Sequence, residues 1–300
     1  MSTTVPANGN QVDLGRILVP LDGSGRSERA LDLAARLPAR EVILFHVGKD
    51  DDDRSRLESL AQALRTGQRS VEVEIRSGDA SGEILKAAAN YDLVVMATQG
   101  RGAAGRLLFG STADRVSQQS GTPTLLVRTT KDAAIPVPAR VVVPLDGSGR
   151  AEGALPIATT LARAMSLPLW LMRAVDLNDV RGTIHEQRER DRGAPAPGDA
   201  EHTYEEARQL TEQRATSYLA DTAEPLAGQG FQVETSILRG TPVFELLRVI
   251  QPEDLVVMTS HGHQGFQRVM LGSVAEKLVR ESTAPVLLVP TREPAGSLVA

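Results

Sequence analysis

The sequence predicts two tandem, doubly wound α/β domains, and three observations carry that prediction. The chain has 300 residues, about twice a typical domain. The segment RILVPLDGSGRSERAL, from Arg16, recurs as RVVVPLDGSGRAEGAL, from Arg140. Short unbroken runs of Val, Ile and Leu alternate with amphipathic stretches, as strands buried on both faces of a parallel sheet do.

The repeat sets the organisation. Asp22 maps to Asp146 with an offset of 124, and Leu93 maps to Leu255 with an offset of 162. Thirty-eight residues are therefore added to the second copy, placed between its second and third strands. The strands expected in copy one are 17–21, 42–47, 71–76, 93–97 and 124–128, with helices at 27–37, 81–89 and 111–119. Copy two repeats the strands as VVVPL, LWLMRAV, QVETSIL, LVVMT and VLLVP. Strand–helix alternation with short loops implies right-handed βαβ crossovers. The expected boundaries are a tail at 1–13, a domain at 14–128, a linker at 129–139, a domain at 140–290 with its insertion at about 178–210, and a tail at 291–300. The charged, Gly- and Pro-rich part of the insertion reads either as a solvated excursion or as a lid or partner-binding loop.

Composition removes whole classes of function. Apolar residues at 41% and charged residues at 24% fit a folded globular chain rather than a disordered one. The absence of cysteine excludes disulfides, thiolate catalysis and Cys-based metal sites. A net charge of −5 and only 3% aromatics argue against nucleic acid as a direct partner. No apolar run approaches the ~18 residues that cross a bilayer, and the polar N-terminus lacks the pattern of a signal peptide. A cytoplasmic protein with no membrane partner is expected.

In doubly wound sheets ligands bind beyond the carboxyl ends of the strands, where strand order reverses. Three loops stand out there, one of them SGDAS (77–81) and RGTP (239–242), where Gly78 and Gly240 are expected to serve a tight strand-to-helix turn near the ligand's middle. The LDGSG loop carries Asp22 or Asp146, and Asp-Gly-Ser is equally a turn and helix cap. The loop after strand four, 97–112 and 259–274, opens with glycine and closes on Gly110-Ser111 or Gly272-Ser273 at a helix start. Backbone amides at such a helix start form an anion site, and Ser111 and Ser273 are expected both to cap the helix and to donate to a phosphate. No GxxxxGK[ST] loop is present, so P-loop chemistry is excluded. His261 and His263 lack a third metal ligand nearby in sequence, and no catalytic residue is assigned.

At these residues the chain resembles the universal stress protein family in its tandem two-domain form. The family's nucleotide-binding variety carries Gly-x-x-Gly, nine residues, then Gly-Ser or Gly-Thr. Here Gly100 and Gly262 are each followed by nine residues and then Gly110-Ser111 and Gly272-Ser273. The motif's first glycine is Ala97 in one copy and Thr259 in the other. The resemblance implies Rossmann-like domains of the flavodoxin-like, HUP type, each a five-stranded parallel sheet of order 3-2-1-4-5. It also implies pairing of the domains through their last strands, with a homodimer as a further option. It implies ATP binding, with Mg²⁺ as an accompanying ion. Asp22 and Asp146 would meet adenine, with Pro20, Val47 and Met96 beside it in copy one and Pro144, Val175 and Met258 in copy two. The remaining contacts would come from Ala97, Gly100, Arg101, Gly110, Ser111 and Thr112, and from Thr259, Gly262, His263, Gly272, Ser273 and Val274. The function implied is nucleotide-dependent regulation in the stress response through a protein partner. A nucleotide-free dimerising scaffold and a slow ATPase are the alternatives.

Overall fold

The computed structural model describes residues 12–48, 51–99, 110–129, 135–176, 179–185, 200–260 and 271–291. Half one runs β1 (Arg16–Leu21), α1 (Gly25–Glu28), α2 (Ala30–Ala34), β2 (Glu41–Val47), α3 (Asp51–Leu64), β3 (Ser70–Arg76), α4 (Ala80–Ala88), β4 (Leu93–Gln99), α5 (Ser111–Gln119) and β5 (Thr124–Thr129). Half two runs β6 (Arg140–Pro144), α6 (Gly149–Glu152), α7 (Leu155–Met165), β7 (Leu169–Val175), a short helix α8 over 179–185, α9 (Ala200–Gly228), β8 (Val233–Arg239), α10 (Pro242–Val249), β9 (Asp254–Thr259), α11 (Ser273–Glu281) and β10 (Val286–Val289).

All ten strands join one sheet, in the order β3-β2-β1-β4-β5-β10-β9-β6-β7-β8. Each half therefore shows the 3-2-1-4-5 order, and every strand pair is parallel except β5 with β10. In that antiparallel pair Leu287 faces Leu125. These two residues are equivalents in the repeat, so a pseudo-two-fold axis passes between them. Both are fully buried, and the cores on both faces of the sheet run unbroken from one half into the other. Across the same axis Arg280 of α11 bridges to Asp114 of α5 at 3.3 Å.

Strand pairing corrects the placement of the insertion. Val42 pairs with Ile17 and Leu169 pairs with Val141, so β2 and β7 are related by 127 residues, not 124. Three of the 38 extra residues thus lie before β7, where α7 is longer than α2, and the other 35 follow it. The latter become α8 and a much longer counterpart of α3. Asp176 and Asp179 start α8 by accepting each other's backbone amides, at 2.8 and 3.1 Å. Val180 of α8 packs on Ala207 and Ala215 of α9, and the buried hydroxyls of Thr183 and Thr211 meet at 2.7 Å. This part of the insertion is packed structure; 186–199 lie outside the described residues.

Helix α3, absent from the expected elements, packs Leu57, Leu60, Ala61 and Leu64 on the core at helical spacing, in a charged segment that opens with three aspartates. The helix expected at 27–37 is two pieces, broken at Arg29. Among the described residues no helix is long and apolar enough to cross a membrane.

Truncation at the axis measures how much the junction contributes. Leu287→Ala should cost about 2–5 kcal/mol, since a void at a fully buried leucine cannot collapse freely. Urea unfolding reads the loss, and a change under about 0.5 kcal/mol, the range of ordinary surface substitutions, contradicts it.

Candidate functional site

The sheet opens where its strand order reverses. β1 pairs with β4 only through Ile17–Leu93 and Leu18–Val94, whereas β4 pairs with β5 through six residues. In half two β6 and β9 share three pairs. Pro20 and Pro144 stand just beyond those short ladders, and proline has no N–H with which to extend them. Beyond them β1 and β4, and likewise β6 and β9, share no further ladder pairs, leaving a crevice at each switch point.

The LDGSG loops border the two crevices. Asp22 Oδ1 accepts from the Ser24 amide at 2.9 Å and the Ser24 hydroxyl at 2.5 Å, and Ser24 caps α1. Asp146 and Ser148 repeat the arrangement at 2.9 and 2.6 Å. The turn and cap are real, and both carboxylates remain exposed. Burial is the largest influence on Asp22 and pushes its pKa up. The Ser24 hydroxyl, the Ser24 amide and the Ser27 hydroxyl together outweigh it, holding the carboxyl below its usual value. Gly23 and Gly147 complete the loops at φ +79° and +85°, where a side chain is strained.

Beside these loops the halves differ, in residues a motif search passes over. Buried His46 has Nδ1 2.8 Å from the Leu21 carbonyl, while its Nε2 stands 3.1 Å from Asp53 Oδ2 without hydrogen-bond alignment. The equivalent residue is Arg173, whose guanidinium lies against Gly147 and over the Tyr218 ring. Tyr218 in turn donates to Glu152 at 3.0 Å. Burial and the Glu152 carboxylate raise the pKa of the Tyr218 phenol. The 127-residue strand offset is the signal that pairs His46 with Arg173.

The same offset separates two residues expected to be equivalent. Val47 lies on the face shared with Met96, whereas Val175 points to the opposite face, against α8 and α9. Ala174 is the counterpart of Val47. The two crevices therefore have different walls. Met96 and Met258 are both buried in the shared core.

Ala97 is half-buried in β4 and Thr259 is buried in β9. Among the described residues Ser166 is the only non-glycine with positive φ, so Thr259 needs no glycine-like backbone. Its methyl faces Gly153, which stands where half one has Arg29. A Cβ added at Gly153 would already lie 3.6 Å from Thr259 Cγ2, so a long side chain there would crowd it.

The helices after the long loops start differently from the sequence expectation. Gly110 and Gly272 are the N-caps of α5 and α11, and neither helix has a side-chain cap. Ser111 and Ser273 are first-turn residues with exposed side chains, so they are not the caps. Thr112 and Val274 follow them, half-buried. First-turn amides of both helices thus lack an internal acceptor. The Gly272 amide itself donates to the Ser260 carbonyl at 2.8 Å. Gly100, Arg101, His261, Gly262 and His263 lie outside the described residues.

With this geometry in view the comparisons decide the family. The model of the universal stress protein family matches residues 48–128 and 139–290. The chain belongs to the universal stress protein family. A universal stress protein of Mycolicibacterium smegmatis is 26% identical over 304 residues, covering 92% of this chain and 97% of that one. The Bacillus subtilis universal stress protein YxiE is 29% identical and spans 50% of this chain and 97% of its own, a single-repeat length. A universal stress protein structure from Archaeoglobus fulgidus superposes with a TM-score of 0.62 at 20% identity, covering 93% of this chain and 100% of that one. At that identity the likeness shows the fold.

The two LDGSG loops of this family member should respond differently to the same substitution. Gly147→Ala should destabilise more than Gly23→Ala. Its new Cβ would meet the Arg173 guanidinium at 2.7 Å, whereas the nearest atom at Gly23 is 3.5 Å away. Each should cost on the order of 1 kcal/mol from backbone strain alone, and equal melting temperatures would refute the ranking. Asp22, with its pKa depressed on folding, stabilises above the usual carboxylate value of 3.8. That contribution should vanish as pH falls through the lower folded value. Asp22→Asn should therefore destabilise at neutral pH and not at the acid end, as urea unfolding at the two pH values would read.

Proposed function

We propose that the chain is an ATP-binding regulatory protein of the stress response, acting in the cytoplasm through a protein partner whose surface contact depends on nucleotide. The observation that carries this reading is the pairing, in each half, of a switch-point crevice with an uncapped helix start preceded by glycine. The amides at the starts of α5 and α11, with the local dipole, suit phosphate. The exposed Asp22 and Asp146 carboxylates suit the exocyclic amine of adenine. Bound ATP would supply a polyanionic triphosphate, with Mg²⁺ sharing its charge. The chain's own part is to orient the base at β1 and β6 and to neutralise the phosphates at α5 and α11. Bound nucleotide would face the segments that join β4 to α5 and β9 to α11, and so alter the surface offered to a partner. A homodimer would use surfaces other than β5 and β10, whose edges are consumed within the chain.

Denaturing the purified protein and quantifying released adenine nucleotide tests the reading directly. Two ATP per chain is expected. ADP instead would favour slow hydrolysis, and no nucleotide after titration with added ATP would leave the scaffold reading. Gly110→Val makes the test site-specific. Gly110 has φ −60°, and among the described residues nothing lies within 4 Å of the point a Cβ would occupy. The fold thus has room for the branched side chain, while phosphate approach is obstructed. Half-one binding should fall by at least about tenfold, the loss of one charge-assisted hydrogen bond, with an unchanged melting temperature.

A further inference from the structure

The pseudo-two-fold creates two equivalent clefts, each between the amino end of one half's sheet and the carboxyl end of the other's. One is crossed by a side chain of the protein itself. Arg128, in β5, crosses the axis and donates to the carbonyls of Glu281 and Ser282 at the carboxyl end of α11, at 3.0 and 3.3 Å. Its repeat equivalent is Pro290, which has no donor at all. At the same end of the cleft Gly153 replaces Arg29. Two arginines present on one side of the axis are thus missing on the other, and there the structure holds a cavity of about 1050 Å³.

The acceptors that Arg128 uses have counterparts beside this cavity. Ser120 accepts from the Thr122 amide at 3.1 Å and donates to the Thr122 carbonyl at 2.8 Å. Ser282 makes the same two bonds with Ala284, at 3.0 and 3.3 Å. The carboxyl ends of α5 and α11 are therefore built alike, and the Gln119 and Ser120 carbonyls stand as those of Glu281 and Ser282 do. Gly121, Thr122 and Pro123, next in sequence, line the cavity. Asp13 and Asp92 add two carboxylates to its wall, Asp13 paired with Arg40 at 2.6 Å and Asp92 accepting from the Arg16 amide at 2.8 Å; Arg150 is the one cation among the described lining residues. The helix dipole favours positive charge at this end of α5.

We infer that this cavity is a binding site for a small ligand bearing a guanidinium or primary ammonium group on an aliphatic stem. Such a ligand would take the place that Arg128 fills across the axis. The cationic head would meet the end of α5, and the stem would lie against Leu85, Ile157 and Val289. The volume suits a small organic molecule. The cavity borders the half-two crevice, sharing Thr259 and the start of α6 with it, so ligand and ATP would meet at that wall and the test is made without nucleotide.

The probe is agmatine, which carries a guanidinium and an ammonium on a four-carbon chain, titrated calorimetrically into the nucleotide-free full chain at low salt. One saturable equivalent per chain is expected. Pro290→Arg restores the missing side chain, and should weaken binding at least about tenfold while raising the melting temperature. Ala89→Trp fills the cavity from an exposed helix end and should weaken binding equally, so the test survives if Pro290→Arg folds poorly. Absence of saturable binding to the unaltered chain overturns the inference. So does binding that both variants leave unchanged.

Discussion

The antiparallel pairing of β5 with β10 is the contact on which the rest of the molecule depends. It is the one antiparallel junction in an otherwise parallel sheet, and it puts Leu125 opposite its own repeat equivalent, Leu287. Each half alone would end in an exposed, hydrophobic edge strand, a template for unwanted pairing. Joining the two edges removes that hazard and merges the cores on both faces. It also sets α5 beside α11, so the two helices share a common support, strengthened by Arg280 reaching Asp114.

A two-fold built from one chain is free to become unequal, and the inequality is concentrated near the sites. Thr259 is tolerated beside Gly153, where Ala97 accompanies Arg29. Arg173, stacked on Tyr218, stands where half one buries His46. Most of these exchanges trade a bulky or charged group in one half for a small one in the other. The sheet is preserved because the changes fall at strand ends and helix starts, while the buried Val, Ile and Leu runs stay alike.

Strands were readable from sequence because unbroken Val, Ile and Leu runs have few other uses at this length. α5 was readable to the residue, since Gly110 before it and Ser120 after it both interrupt the pattern. α3 was not, although Leu57, Leu60, Ala61 and Leu64 form a helical stripe, because its charged, aspartate-rich start resembles a loop. The site was legible in its loops and less so in its walls. Matching Val47 with Val175 follows residue type, but side chains alternate along a strand, so a one-residue error in offset moves the match to the opposite face. Likewise a serine at a helix start resembles a cap, yet the preceding glycine takes that position in both halves. Local chemistry is written in the sequence; register comes only from the ladder.

Fusion through β5 and β10 also changes the thermodynamics of assembly. Two separate chains that meet through an edge strand come apart on dilution, and their pairing follows their concentration. Here the partner is tethered, so the effective concentration is fixed by the connecting residues rather than by expression level. The two switch-point crevices are thus always present in a one-to-one ratio and in the same relative orientation. Any coupling between the two crevices would therefore be the same at every protein concentration.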